Sequence, residues 1–157
     1  APLAGWAAVA LNLAIAHLVF VGERANVAEA TLKDTRQADV RAALERVPRL
    51  AEDQLRTSLH ALDTLQVAFW CFLNTSTFEE AVIAAVNLGG NTDTQGAVTG
   101  ALAGAWYGLA AIPDGWRRNL QGYEEIRNTS ELLFDLAQSQ DAPTDGQADV
   151  ARNRRLR

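Results

Sequence analysis

Residues 89–96 read Gly-Gly-Asn-Thr-Asp-Thr-Gln-Gly, and an uncharged segment follows them as far as Gly108. The two glycines can adopt the positive φ angles that a sharp turn or a close ligand requires. Four side chains that carry oxygen atoms come next, from Asn91 to Thr94. If the uncharged segment is a helix, these oxygens lie at its N-terminus, beside unpaired backbone N–H groups. The stretch therefore predicts a turn, a polar cluster and a helix, in that order.

The uncharged segment has a glycine at every fourth position: Gly96, Gly100, Gly104 and Gly108. In a helix, residues with this spacing form one continuous ridge. A glycine inside a helix costs about 1 kcal/mol relative to alanine, so the repetition needs a structural reason. Close packing of neighbouring helices against the ridge supplies one. We predict that residues 96–108 form the central and most buried helix.

Helical periodicity accounts for most of the remaining chain, because apolar residues recur at spacings of three and four. The predicted helices cover residues 2–21, 26–33, 38–47, 52–73, 78–87, 96–108 and 123–138. Before the fifth of these, Ser76 and Glu79 form a capping-box pattern with Ser76 as the N-cap. The predicted fold class is all-α, an irregular multi-helix bundle around the glycine-rich helix. We expect a domain over residues 1–138 and a polar, disordered tail over residues 139–157.

Composition excludes some functions and bounds others. A chain of 157 residues can form a compact domain with a core, and a net charge of −5 argues against a nucleic-acid binder. The single cysteine, Cys71, lies in an apolar run, so we predict a buried, inert thiol rather than a nucleophile. For Asp63 we predict a structural hydrogen-bonding role rather than a catalytic one. No basic segment precedes a cleavable hydrophobic stretch, which favours a cytoplasmic protein.

Residues 2–21 form an uncharged run that is long enough to span a bilayer. The run is rich in alanine and glycine, however, and Asn12 and His17 interrupt it. Because alanine-rich sequence inserts into membranes poorly, we predict a buried core helix and no membrane contact. A membrane-associated protein inserted through this run is the alternative. We expect His17 to bond a backbone carbonyl rather than to ligate a metal.

Ordered motifs lie on both sides of the glycine turn. They are Asp63-Thr64-Leu65, residues 69–75 (Phe-Trp-Cys-Phe-Leu-Asn-Thr), residues 78–82 (Phe-Glu-Glu-Ala-Val), residues 87–94 (Asn-Leu-Gly-Gly-Asn-Thr-Asp-Thr) and residues 112–116 (Ile-Pro-Asp-Gly-Trp). Together with the glycine-ridge helix, this set resembles the C-terminal signature of the ADP-ribosylglycohydrolase family. The resemblance covers residues 59–120 in detail and implies the all-α fold of that family.

The resemblance also implies a metal site at the turn, with a pair of Mg²⁺ or Mn²⁺ ions. Asp93 matches the second aspartate of the family's Asp-Thr-Asp-Thr run, and Thr94 matches its metal-binding threonine. Asn91 stands where the family most often has its first aspartate, so one ion is expected to bind more weakly. Gly89 and Gly90 would lie close to the substrate. A purely structural role for Asp93 and Thr94 as helix caps is the alternative.

The family's other ligands and its acidic catalytic residues come from motifs that resemble Gly-Asp-Ala-Leu-Gly and Asp-Asp-Thr. Neither motif occurs in these 157 residues, so we assign no catalytic residue. The leading hypothesis is a metal-dependent hydrolase that removes ADP-ribose from a modified protein residue or a small acceptor. This chain would supply the C-terminal half of the dinuclear metal site, and a second chain would carry the N-terminal half. A catalytically inactive binding or scaffold module with the same fold is the alternative.

Overall fold

The computed structural model describes residues 2–140, and this part of the chain contains eight α-helices and no strand. The helices are α1 (Pro2–Phe20), α2 (Val27–Asp34), α3 (Ala38–Arg46), α4 (Ala61–Asn74), α5 (Phe78–Asn87), α6 (Thr92–Tyr107), α7 (Asp114–Asn119) and α8 (Tyr123–Gln140). The all-α prediction is confirmed. Helix α8 extends two residues into the predicted tail, and the rest of that tail lies outside the described residues.

The chain divides into two compact units, Ala1–Pro113 and Asp114–Arg157. The first unit contains α1 to α6, and the second contains α7 and α8. In the first unit all six helices contribute side chains to one apolar core, for example Ala10, Val27, Leu44, Phe69, Ala81 and Leu102. In the second unit no described side chain of either helix is buried. The predicted site residues therefore belong to the unit that has the core.

Helix α4 is the most buried helix of the first unit. Seven of its 14 residues are buried, whereas α6 buries four of its 16 residues. The prediction that the glycine-rich helix is the most buried one is wrong. Residues 96–108 carry no charge, but alanine and glycine expose little apolar area where they face solvent, as Ala97 and Ala101 do. The large buried side chains Phe69 and Phe72 both belong to α4.

The three glycines inside α6 pack against α5. An added Cβ atom would meet an α5 side chain at each position. The nearest atoms are Val86 Cγ2 at 3.1 Å from Gly96, Val82 Cγ2 at 3.7 Å from Gly100, and Phe78 Cε2 at 3.9 Å from Gly104. The fourth glycine, Gly108, is the C-cap, with a φ of 76°. The predicted close packing is therefore confirmed for three glycines, against one neighbouring helix.

Helix α1 packs through one face only. Its buried residues Ala7, Ala10, Ala14 and Leu18 belong to the core, while Val19 and Phe20 are exposed. Among the described residues one helix is long and apolar enough to cross a bilayer, over Leu3–Phe20, and 22 % of that window is buried. The prediction of a buried core helix therefore holds for the face that carries these four buried residues. It does not hold for the rest of the helix.

Arg24 anchors the C-terminal end of α4. Its guanidinium donates hydrogen bonds to the backbone carbonyls of Phe72, in the last turn of the helix, and of Thr75, its C-cap. The guanidinium carbon lies 5.0 Å from the centroid of the Phe72 ring and 5.8 Å from that of the Tyr107 ring. A cation over aromatic rings is stabilising, and more so where it is partly desolvated. The contact with Tyr107 also connects α4 to the end of α6.

The predicted start of α4 at residue 52 is wrong. Residues Glu52–Gln54 form a short 3-10 turn, and the helix begins at Ala61 after the N-cap His60. The ring nitrogen Nδ1 of His60 accepts the Leu62 N–H at 3.4 Å. Leucines at helical spacing made the pattern look continuous, but Leu59 is exposed. The segment before α4 is instead a loop that reaches the glycine turn.

The N-cap of α5 lies one residue later than the predicted capping box placed it. Thr77, not Ser76, is the N-cap, and its hydroxyl accepts the Glu80 N–H at 3.1 Å. The Glu80 carboxylate in turn accepts the Ser76 N–H at 2.8 Å. Consecutive glutamates and consecutive hydroxyl residues allow both registers. The observed register makes Phe78 the first helical residue and buries it beside the glycines of α6.

Candidate metal-binding turn

The turn between α5 and α6 is built from two glycines in left-handed conformations. Gly89 has a φ of 78° and Gly90 a φ of 69°. A Cβ atom at Gly89 would meet open space, whereas a Cβ atom at Gly90 would overlap the backbone carbonyl of Thr57. Both positions favour glycine because L side chains rarely adopt these angles. Glycine is required at position 90 for a second reason: the loop before α4 passes directly against it and leaves no room for a side chain.

Asn91 caps α6 with its backbone and leaves its side chain free of the cap. Its carbonyl accepts the Gln95 N–H at 3.0 Å, and its own N–H donates to the Thr57 carbonyl at 3.2 Å. The side chain makes no capping hydrogen bond to the helix backbone. The amide oxygen instead accepts the Thr94 hydroxyl at 3.2 Å. The Asn91 oxygen is thus held beside the helix terminus and remains available to a ligand.

The three predicted metal-binding residues come together around the hydroxyl of Thr94. This hydroxyl lies 3.2 Å from Asn91 Oδ1 and 3.4 Å from Asp93 Oδ1. The same Asp93 oxygen accepts the Thr94 N–H at 2.8 Å. One amide, one carboxylate and one hydroxyl oxygen are ligands that hard cations such as Mg²⁺ accept. The donor set therefore fits part of a coordination shell.

The charge at this turn comes from Asp93. The part of the chain that the structure describes contains no group of three or more His, Cys, Asp or Glu side chains that could hold a metal ion. Mg²⁺ requires about six ligands in octahedral geometry. The turn supplies three oxygens, so water or other protein groups must complete the shell. The hydrogen bonds within the turn are equally consistent with the capping alternative for Asp93 and Thr94.

A cavity of about 350 Å³ adjoins the turn. Asn91 and Thr94 line one side of it, and Thr64 of α4 adds a third polar side chain. The remaining lining is apolar and comes from α1, from Leu59 and from α4 and α6. This volume lies in the range of small-molecule sites, which combine apolar walls with a few placed polar groups. Two of the three predicted metal ligands therefore face a cavity that can hold a small ligand.

Three other residues singled out from the sequence lie away from this cluster. Cys71 is fully buried, and burial, assisted by the Glu52 carboxylate, raises the pKa of its thiol to about 12. It is therefore protonated and inert at neutral pH. His17 Nε2 lies 3.1 Å from the Glu23 carbonyl, as predicted. Asp63 accepts a hydrogen bond from the Ser58 hydroxyl at 2.6 Å, which is the structural role expected of it.

Sequence reasoning missed two features of the site. The first is Thr57, whose carbonyl accepts the Asn91 N–H and lies against Gly90. No local sequence pattern predicts this contact. The second is Gln95, whose side chain is fully buried although neither amide atom has a hydrogen-bond partner among the described residues. The Thr99 hydroxyl, one helical turn later, is also buried without a hydrogen-bond partner among the described residues. Gln95 directly follows four other polar residues, so no signal in the sequence indicates that its side chain is buried.

Comparison with known proteins connects these residues to a family. Residues 1–143 match the model of the ADP-ribosylglycohydrolase family. The chain is 42 % identical over 89 residues to the ADP-ribosylarginine hydrolase Tri1 of Serratia proteamaculans, covering 57 % of this chain and 24 % of that protein. It is 39 % identical over 84 residues to the ADP-ribosyl-[dinitrogen reductase] glycohydrolase of Rhodospirillum rubrum, covering 52 % and 29 %.

The similarity extends to vertebrate proteins. The chain is 31 % identical over 96 residues to the human ADP-ribosylhydrolase ARH3, covering 54 % of this chain and 26 % of that protein. The chain therefore spans about a quarter of the length of the curated relatives it matches. The family model, by contrast, covers 143 of the 157 residues. By this match the chain belongs to the ADP-ribosylglycohydrolase family.

Proposed function

We propose that the chain is part of a metal-dependent hydrolase that removes ADP-ribose from a modified protein residue or a small acceptor. The observation that carries the proposal is the convergence of the Asn91, Asp93 and Thr94 oxygens beside a ligand-sized cavity. The relatives support it, since they are named as hydrolases of ADP-ribosylarginine and of ADP-ribosyl-[dinitrogen reductase]. Family membership alone does not fix an activity, so the metal site is the part to test.

In this proposal Asn91, Asp93 and Thr94 hold Mg²⁺ or Mn²⁺, with two ions in the complete site. When bound, the metal supplies a Lewis acid that polarises ligand oxygens and lowers the pKa of a bound water. The chain presents one charged and two neutral oxygens. The remaining ligands, and the acidic group that acts on the water, come from sequence that carries the family's Asp-Asp-Thr motif. That sequence belongs either to the same polypeptide or to a second one.

The residues of this chain would position the substrate as well as the metal. The backbone at Gly89 carries no side chain and faces open space, so a ligand can approach this peptide group closely, whereas Thr57 fills the corresponding space at Gly90. The Thr94 hydroxyl fixes the Asn91 amide by a hydrogen bond of 3.2 Å. Apolar residues of α1 and α4 form part of the cavity wall. These contributions are binding and orientation, and general base catalysis is not among them.

One observation favours a second candidate, an inactive binding or scaffold module. Asn91 offers a neutral amide where the family most often has a carboxylate, so the cluster carries one formal negative charge, that of Asp93. A neutral ligand attracts a divalent cation less strongly than a charged one at the same distance. A module of this kind would keep the fold and the cavity but bind metal weakly or not at all.

Thermal unfolding of the 157-residue chain with and without Mn²⁺ tests the proposal. At a tenfold excess over the dissociation constant, binding stabilises the folded state by about 1.4 kcal/mol, which corresponds to a rise in Tm of about 3 °C. Asp93→Ala is expected to abolish this rise. Asp34→Ala removes an exposed carboxylate at the end of α2 and serves as the matched control. An equal rise in both variants, or no rise in the unmodified chain, contradicts the proposal.

A further inference from the structure

The carbonyl that supports the glycine turn belongs to a loop, not to a helix. Thr57 accepts the Asn91 N–H at 3.2 Å and lies against Gly90. It lies between the 3-10 turn Glu52–Gln54 and the start of α4. A loop backbone lacks the regular hydrogen bonds that hold a helix, so the direction of the Thr57 carbonyl depends on what holds its neighbours. The next residue, Ser58, is held by its side chain.

The Ser58 hydroxyl acts both as a donor and as an acceptor. It donates to Asp63 Oδ2 at 2.6 Å and accepts the His60 N–H at 3.0 Å. A hydroxyl has a single O–H donor, and in Ser58 this donor is directed at Asp63. The bond to His60 closes the loop locally, as serine hydroxyls do in turns. The bond to Asp63 joins the loop to α4.

Asp63 belongs to an element that the core holds in place. It lies in the first turn of α4, the helix with the most buried residues. Leu65 and Phe69 of the same helix are part of the apolar core. A carboxylate in the first turn is also favoured by the helix dipole. Asp63 therefore gives the loop an anchor that does not move with the loop.

The covalent geometry of the chain connects this anchor to the turn. The Thr57 carbonyl and the Ser58 nitrogen are parts of one planar peptide unit. Holding Ser58 therefore restricts the rotation of this plane and the direction of the Thr57 oxygen toward Asn91. The Asn91 carbonyl accepts the Gln95 N–H at 3.0 Å, and Asn91 Oδ1 accepts the Thr94 hydroxyl at 3.2 Å. The position of Asn91 thus sets the start of α6 and the spacing of two predicted metal ligands.

We propose that Asp63 and Ser58 are positioning residues for the glycine turn. Asp63 holds the Ser58 hydroxyl, Ser58 holds the peptide plane of Thr57, and the Thr57 carbonyl holds Asn91. The consequence for metal binding rests on the proposed function, but the positioning itself requires neither metal nor substrate. Asp63 therefore acts on a segment that follows it by nearly thirty residues, in addition to its role at the start of α4.

Amide hydrogen exchange of the 157-residue chain, followed by NMR in metal-free buffer at constant pH, tests this proposal. Asp63→Ala and Ser58→Ala are each expected to speed exchange of the Asn91 N–H about fivefold or more, the factor that loss of one ordinary hydrogen bond produces. Exchange of the Gln95 N–H should accelerate as well. Asp63→Asn retains an oxygen that can accept from Ser58, so its exchange rates should stay within twofold of those of the unmodified chain.

The matched control is Asp39→Ala. Asp39 also lies in the first turn of a helix, α3, and accepts a side-chain hydrogen bond from the Gln37 amide at 3.0 Å. Its loss should leave Asn91 exchange within twofold of the unmodified rate. The Ala81 N–H, which donates to the Thr77 carbonyl at 3.1 Å at the start of α5, reports on general loosening within each variant. Its exchange rate should be the same in all of them.

Four results would overturn the proposal. They are unchanged Asn91 exchange in both Asp63→Ala and Ser58→Ala, equal acceleration in Asp39→Ala, equal acceleration in Asp63→Asn, and acceleration of Ala81 to the same extent as Asn91. Mn²⁺ titration of the same variants measures the consequence for the proposed function, and Asp63→Ala should weaken Mn²⁺ binding more than Asp39→Ala does. Failure of the unmodified chain to bind Mn²⁺ contradicts the proposed function but leaves the exchange result, and the positioning role, standing.

Discussion

The backbone carbonyl of Thr57 lies directly against Gly90 and accepts the N–H of the next residue, Asn91, at 3.2 Å. A loop that comes much earlier in the chain therefore fixes both the position of the turn and the start of α6. The predicted ligands Asp93 and Thr94 follow within the first helical turn. Any change that displaces Thr57 from Gly90 is expected to move these ligands as well.

Alanine substitutions at the two glycines of the turn should differ in cost. Gly89→Ala introduces a side chain at a positive φ but into open space, so we expect a loss of about 1–2 kcal/mol in unfolding free energy. Gly90→Ala adds an overlap with the Thr57 carbonyl, and we expect a loss of about 3 kcal/mol or more. Urea unfolding of both variants measures the difference. Equal losses would show that Thr57 does not constrain the turn.

Local patterns were sufficient to predict most helices. The bounds of α5 were predicted correctly at residues 78–87, because the apolar spacing, the hydroxyl residues just before the helix and the glycines just after it are all local signals. The packing of Gly96 and Gly100 was likewise predicted from their four-residue spacing. The convergence of Asn91 and Thr94 follows from their separation of three residues at a helix terminus, where such side chains are neighbours.

Features that depend on distant contacts were not predictable from the same patterns. Residues 52–60 carry leucines at helical spacing, yet they form a 3-10 turn and a loop, because this segment supports the glycine turn through Thr57. The burial of α6 was overestimated because an uncharged sequence does not reveal which side is covered.

Two substitutions at Gly100, in the glycine ridge, should separate the effect of side-chain size from the effect of helix propensity. A Cβ atom at Gly100 would lie 3.7 Å from Val82 Cγ2, which is an ordinary contact. Gly100→Ala should therefore be neutral or stabilise the fold by up to about 1 kcal/mol. Gly100→Leu should overpack the α5 interface and lower the unfolding free energy by about 1–3 kcal/mol. Thermal melts of the pair check this, and similar Tm values in both variants would contradict close packing.

Cys71 should make stability depend on pH in the alkaline range. Its thiol has a pKa of about 12 in the folded chain against 9.0 for an unperturbed cysteine. Between these values the unfolded chain releases the proton and the folded chain retains it. Stability is therefore unaffected below pH 9 and falls as pH rises toward 12, by up to about 1.4 kcal/mol per pH unit.

The comparison of the unmodified chain with Cys71→Ala isolates this effect, since the variant should lack the additional slope above pH 9. Thiol labelling provides an independent measurement. At pH 8 the native chain should react with a disulfide reagent far more slowly than the denatured chain, because its thiol is fully buried. Rapid labelling of the native chain would show that Cys71 is accessible and that the assigned burial is wrong.

Asn91→Asp should distinguish an active metal site from a scaffold that retains only the fold. The substitution adds a carboxylate close to Asp93, because the present amide oxygen and the Asp93 oxygen both lie within 3.4 Å of the Thr94 hydroxyl. Without metal the two carboxylates repel each other, so Tm should fall. With Mn²⁺ the added charge should strengthen binding, so the metal-induced rise in Tm should exceed that of the unmodified chain. If the rise is no larger in Asn91→Asp than in the unmodified chain, the Asn91 oxygen is not a metal ligand and the scaffold alternative gains support.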